Sequence, residues 1–138
     1  MMELSESQQD SMVKISRCDM EVRLLKGGTA KLRLSNKRLR TKGKSKSQFQ
    51  YEVGQRLVAE YPHDVIFEEV HVPGDGFILD FFIPSIGLVV ECHGRQHTEH
   101  VKHFHKTKVD FHKQQDTDQR KRDFCKLNGF RLVEIYDE

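Results

Sequence analysis

The chain has no tryptophan, only three prolines and three cysteines, and no apolar run approaching the roughly 18 residues of a membrane-spanning helix. Each shortage removes a class of protein. No membrane partner is expected, and the first residues carry no apolar core of the signal-peptide kind, so the sequence reads as soluble and intracellular, with the cytoplasm as its compartment. Cys18, Cys92 and Cys125 form no CxxC pair, which argues against a disulfide framework and against a cysteine-rich zinc site. No structural zinc is expected. What remains is 138 residues, 36% hydrophobic and 32% charged, enough for one real core and outside the disordered range.

The net charge of +2 conceals an asymmetry. Residues 1–48 hold 12 Lys and Arg against 5 Asp and Glu, a balance of +7, whereas residues 49–138 hold 11 against 16, a balance of −5. A basic arm on an acidic body suggests that the arm meets a polyanion while the body holds cations. A solvated tail is the plainer alternative.

Along the chain, Met20–Leu25 and Thr29–Leu34 alternate on either side of Lys26-Gly27-Gly28, the pattern of a β-hairpin. Six basic residues follow within ten positions: Lys37, Arg38, Arg40, Lys42, Lys44 and Lys46. Interleaved with Gly and Ser, they read as a linker by composition and as a phosphate-contacting, nucleic-acid-binding arm by charge. Ser47 and Gln50 have capping-box spacing ahead of Phe49, Val53 and Leu57, which predicts a helix ending at Pro62. Strands are expected at 65–72, 77–83 and 87–92, with Pro73-Gly74-Asp75-Gly76 as a turn. Residues 94–107 read as a His- and Lys-rich loop. A polar helix over about 108–127, stopped by Asn128-Gly129, precedes a last strand at 130–135. The fold class is therefore α/β, with an αβββαβ core around a central sheet and a parallel crossover at its end. The expected organisation is a hairpin and basic DNA-contacting arm over 1–46, then a catalytic domain over 47–138.

Two acidic residues interrupt strands that otherwise read as buried. Asp80 lies within Phe77-Ile-Leu-Asp-Phe-Phe-Ile83, and Glu91 ends Leu88-Val-Val-Glu91. A buried carboxylate is costly unless something pairs with it or binds it. The short connection between the strands lets both reach one end of the sheet, beside Cys92-His93-Gly94-Arg95-Gln96-His97. Two carboxylates converging with imidazoles suit a hard divalent cation and a reactive water. Read plainly, they are strand-end acids paired with lysines.

His93, two residues after Glu91, shares its face and could serve as general base. His97 is a candidate base or leaving-group partner, and Gln96 could orient water or phosphate. His100, His103 and His105 look like loop decoration. Glu52 borders the buried face of the first helix, either as an i, i+4 partner of Arg56 or as a carboxylate supporting a metal site from outside. Asp118 sits among the mixed charges of the last helix and, on sequence alone, belongs to a solvated face.

The run Asp80…Glu91-Cys92-His93 resembles the D…(D/E)-x-K signature of the PD-(D/E)XK, or restriction-endonuclease-like, superfamily. His93 stands in the lysine place and Leu79 in the proline place. The resemblance is closest to very-short-patch repair (Vsr-like) nucleases and to related phage and homing endonucleases with an E-D-x-H-D motif. On that pattern the site is Glu52, Asp80 followed by Phe81, His93-Gly94, His97 and Asp118. Glu91-Cys-His-Gly-Arg-Gln-His97 also resembles an E-x-D-G-x-Q-H stretch in uncharacterised nuclease-like proteins. Two departures matter: the zinc-binding cysteines and the aromatic wedge of the Vsr enzymes have no counterpart here, so mismatch recognition is not implied.

The resemblance implies a Mg²⁺-dependent DNA endonuclease, with Mn²⁺ as a substitute. It implies metal at Asp80, Glu91 and the Cys92 carbonyl, and water activation and leaving-group protonation shared by His93 and His97. Glu52, Asp118 and Gln96 would support them. A catalytically silent nucleic-acid-binding or regulatory module and a Holliday-junction resolvase are the alternatives. Oligomeric state is not legible in the sequence.

Overall fold

A computed structural model describes residues 20–35, 37–40, 43–94 and 108–137. The chain is mixed α/β, with two helices and a mixed four-stranded sheet preceded by a two-stranded hairpin. Strand β1 (Met20–Arg23) pairs antiparallel with β2 (Thr29–Leu32), and the loop between them is closed by Gly27 and Gly28 at φ 101° and 80°, where a side chain would strain the backbone. Helix α1 (Gln48–Glu60) starts as its capping pattern predicts. Ser47 is extended and its Oγ accepts the Gln50 N–H at 3.0 Å. Then follow β3 (Phe67–Val72), β4 (Phe77–Ile83), β5 (Leu88–His93), α2 (Lys108–Asn128) and β6 (Arg131–Tyr136). The sheet order is β3-β4-β5-β6; the first two pairings are antiparallel and β5–β6 is parallel, as the helical crossover requires.

Each sheet face carries its own core. Leu88, Val90 and Cys92 of β5 pack with Val53 and Leu57 of α1. Val89 turns the other way, toward the hairpin residues Val22, Leu24 and Leu32 and toward Phe124 and Cys125 of α2. Strand alternation then assigns Glu91 and His93 to the α2 face. On β4 the alternation slips: Phe77 and Leu79 belong to the α2 face, yet Phe81 and Ile83 belong to the α1 face. Asp80 sits at the slip. Opposite it in the β3–β4 register lies Glu69, the one non-glycine residue at positive φ (54°) among those described. This left-handed residue lets β3 make the same one-residue shift.

The hairpin is fixed to the sheet by side chains that imitate strand partners. Buried Asp75, in the β3–β4 turn, accepts the Leu25 N–H at 2.8 Å and the Lys26 N–H at 3.4 Å. Asn128 accepts the Arg23 N–H at 2.7 Å and donates to the Arg23 carbonyl at 3.0 Å. Gly74 suits this junction because its φ of 94° would strain any side chain, and a Cβ would press within 2.7 Å of Leu24 Cδ1.

The reading of 37–46 as a linker needs correction over 37–40. Arg38 forms a β-bridge with Phe67, and the Glu68 N–H reaches the Lys37 carbonyl. The Arg40 N–H donates to Glu68 Oε1 at 2.9 Å and its guanidinium lies 2.8 Å from Glu69. The open edge of β3, with two adjacent glutamates, offers partners that composition does not reveal. Lys42 lies outside the described residues.

Removing the Asp75 carboxylate strands two backbone donors at the hairpin junction. Asp75→Ala should lower the unfolding free energy by about 1–3 kcal/mol, read as a shifted urea midpoint. An unmoved midpoint would show that the junction does not depend on it.

Candidate active site

The β4–β5 ladder pairs Ile83 with Leu88, Phe82 with Val89 and Phe81 with Val90, and ends one pair short of Asp80 and Glu91. Beyond that point side chains replace the backbone partners. The Asp80 N–H donates to Glu91 Oε2 at 2.6 Å, and the Cys92 N–H donates to Asp80 Oδ2 at 2.8 Å. Each carboxylate thus fills the hydrogen-bond vacancy on the other's strand. Both are buried, Asp80 at 8% and Glu91 at 2% exposure, so the two like charges are held together in a low-dielectric place.

A cation from α2 answers them. Lys121 Nζ lies 2.6 Å from Glu91 Oε1, with its side chain 12% exposed. Burial, then the nearby Asp80 charge, push Glu91 up to about 7, against the pull of Lys121. Burial works to lower Lys121, but the Glu91 and Asp80 charges outweigh it and its pKa is raised. Asp80 and Lys121 line a cleft of about 460 Å³ together with Lys46, Glu69, Thr117 and Asp118.

His93 is buried on the same face. Its Nε2 is 2.8 Å from Glu134 Oε1, its Nδ1 is 3.8 Å from Asp118 Oδ2, and its ring stacks on Tyr136 with centroids 4.9 Å apart. Arg122 grips Glu134 through Nε at 3.0 and 3.2 Å and Nη2 at 2.8 Å. Burial works to raise Glu134, yet the hydrogen bonds from Arg122 and His93 hold it below the usual carboxylate range.

Among the expected residues, Asp80, Glu91, His93 and Asp118 are brought together. Asp118 is buried rather than solvated, because α2 lays this stretch against the open end of the sheet. Glu52 is not brought in. It is exposed on α1, whose buried side meets the other sheet face, and it takes a 3.4 Å hydrogen bond from Gln48 in place of the Arg56 pair. The Cys92 side chain packs in the α1-side core, and burial followed by the Asp80 and Glu91 charges pushes its thiol up, so only its carbonyl remains as a metal donor. Gln96 and His97 lie outside the described residues. Of the arm, Lys46 reaches the cleft.

Sequence reasoning missed Lys121, Glu134 and buried Glu68, which is held by Gln50 Nε2 at 2.8 Å. The spacing of Lys121, three residues after Asp118, places both on one helix face and was the available signal.

No group of three or more His, Cys, Asp and Glu side chains is arranged to hold a metal among the described residues. The donor set does fit a cation that takes few protein ligands. Asp80 Oδ1 has no hydrogen-bond partner among the described residues, Asp80 lines the cleft, and Glu91 is its immediate neighbour. Mg²⁺ asks for one or two carboxylates and completes its shell with water.

No protein-family model and no solved structure matches the chain. Partial similarity is found to viral proteins. Uncharacterized protein 307L of Invertebrate iridescent virus 6 is 40% identical over 57 residues, 41% of this chain and 29% of that protein. Uncharacterized protein 033L of Invertebrate iridescent virus 3 is 39% identical over 64 residues, 46% and 33% of the two chains. Uncharacterized protein 094L of Frog virus 3 is 38% identical over 63 residues, 45% and 41%. The matched part thus spans roughly 30–40% of those relatives. Among the described residues, no helix is long and apolar enough to cross a membrane.

The raised Glu91 has a signed consequence for stability. Between about 4.5 and 7 the folded chain binds a proton at Glu91 that the unfolded chain has released, so stability falls as pH rises through that window. Glu134, shifted the other way, gives the opposite slope only below about 4.5. With chelator present, urea unfolding should lose on the order of 1–3 kcal/mol from pH 5 to pH 7. Glu91→Gln should flatten that loss; a slope equal to wild type would refute the assignment.

Proposed function

We propose that this chain is a divalent-cation-dependent endonuclease that hydrolyses phosphodiester bonds in DNA, with a restriction-endonuclease-like core. The observation that carries the reading is the Asp80–Glu91 pair, two buried carboxylates at the point where β4 and β5 part. The element order αβββαβ, with β6 parallel to β5, supports the finer fold reading. The resemblance to the Vsr-like group supports the activity.

Asp80 and Glu91 would hold Mg²⁺, together with the Cys92 carbonyl, and the ion would supply charge neutralisation at the phosphate and a more acidic water. Lys121 keeps a positive charge beside Glu91 and would stabilise the negative charge that builds on the phosphate. In this reading the ammonium from α2 takes over much of the work expected of His93. The imidazole, with Nε2 engaged by Glu134, packs behind the cleft wall, its Nδ1 3.8 Å from Asp118 Oδ2. His97 remains the candidate for protonating the leaving oxygen. Lys46 at the cleft would contact backbone phosphates irrespective of sequence, with Lys44, two residues before it, adding to the same charge.

One observation favours a second reading. The carboxylates already have partners in Lys121 and in the backbone, so a nuclease fold used only for binding nucleic acid would look the same.

Cleavage of supercoiled plasmid with Mg²⁺ or Mn²⁺ separates the two. Wild type should cut, Asp80→Ala should not, and both should bind the DNA with similar affinity. Lys121→Ala should cut slower by roughly 10²–10³-fold. Wild type that binds DNA but never cuts it with either ion would leave the binding module as the answer.

A further inference from the structure

The geometry points to Glu134 as a positioning residue of the cleft. From the last strand it turns the His93 ring so that Nε2 faces away from Asp118 and Nδ1 faces toward it. The inference deepens the proposed nuclease reading and rests on it for its kinetic arm.

The parallel β5–β6 register is the origin of the contact. Glu91 lies beside Glu134 and His93 beside Tyr136, so the last strand runs directly along the strand that carries the site. Glu134 Oε1 is 2.8 Å from Nε2, and a carboxylate can only accept there, so Nε2 carries a proton directed at Glu134. Tyr136 stacks on the ring at an interplanar angle of 28° and blocks rotation about the ring plane. Arg122 binds both oxygens of Glu134 and holds that carboxylate in place. The other ring nitrogen, Nδ1, lies 3.8 Å from Asp118, whose side chain lines the cleft with Asp80 and Lys121. An Arg–Glu–His chain running from α2 through β6 to β5 therefore stands behind the Asp118 wall of the cleft. Such outer partners typically change activity by about 10–100-fold when removed.

The experiment uses the full-length protein and two readouts. The first is the ring Nε2–H proton of His93 in ¹⁵N-labelled protein, assigned by its loss in His93→Gln. It should be a slowly exchanging resonance in wild type, should disappear in Glu134→Ala, and should survive in Glu134→Gln, whose amide oxygen still accepts. The second is plasmid cleavage, where Glu134→Ala should lower kcat by about 10–100-fold with KM within about twofold, and Glu134→Gln should recover most of it. A His93 resonance unchanged in Glu134→Ala would overturn the inference, and so would a rise in KM with kcat intact. If Glu134→Ala fails to fold, Arg122→Ala takes its place. It should broaden the same resonance, and an unaltered line would count against the chain. Failure of wild type to cleave would refute the nuclease proposal alone, because the resonance decides the positioning independently of activity.

Discussion

Two carboxylates that would repel each other in a dry place are held side by side because each completes the other strand's backbone. That exchange, Asp80 with the Cys92 N–H and Glu91 with the Asp80 N–H, is the constraint on which the rest depends. An unpaired backbone donor buried at the end of a ladder is costly, as is a buried charge. Combining the two in one exchange leaves a single residual problem, the excess negative charge. Lys121 offsets part of it, while burial first and the Asp80 charge second hold Glu91 above the usual carboxylate range. A cation bound at the pair would relieve that repulsion, which is the physical basis of the proposed metal site.

The surrounding architecture follows from keeping that pair in place. The one-residue slip at Glu69 and Asp80 lets β3 and β4 change faces just where the ladder opens. Helix α2 must lie against the opened end, since Asp118, Lys121 and Arg122 all come from it. The hairpin tethers the C-terminal end of that helix through Asn128 and the β3–β4 turn through Asp75. The N-terminal hairpin therefore shares a core with the part that carries the site, and the basic segment is laid along β3 as far as Arg40.

Much of this was legible in the residues. Alternation and turn chemistry placed the elements to within a residue or two, and a charged residue inside Phe-Ile-Leu-Asp-Phe-Phe-Ile was enough to single out Asp80. Glu91 and His93 followed from adjacency along one strand. The misses share a cause: they depend on which helix face meets the sheet. Helix α2 is so polar that its buried side carries no hydrophobic stripe, so Asp118 looked solvated and Lys121 looked ordinary. Glu52 erred in the opposite sense, since a border position on α1 turned out to face solvent. Glu134 sat in an alternating strand whose register against β5 no local pattern specifies.

The most direct measurement is a crystal structure of the protein grown with Mn²⁺, using the ion's anomalous signal. The account predicts one peak about 2.1–2.2 Å from an oxygen of Asp80 and an oxygen of Glu91, with the Lys121 ammonium displaced from the latter. Density that leaves the Lys121–Glu91 contact intact at high Mn²⁺, with no ion touching Asp80, would contradict it.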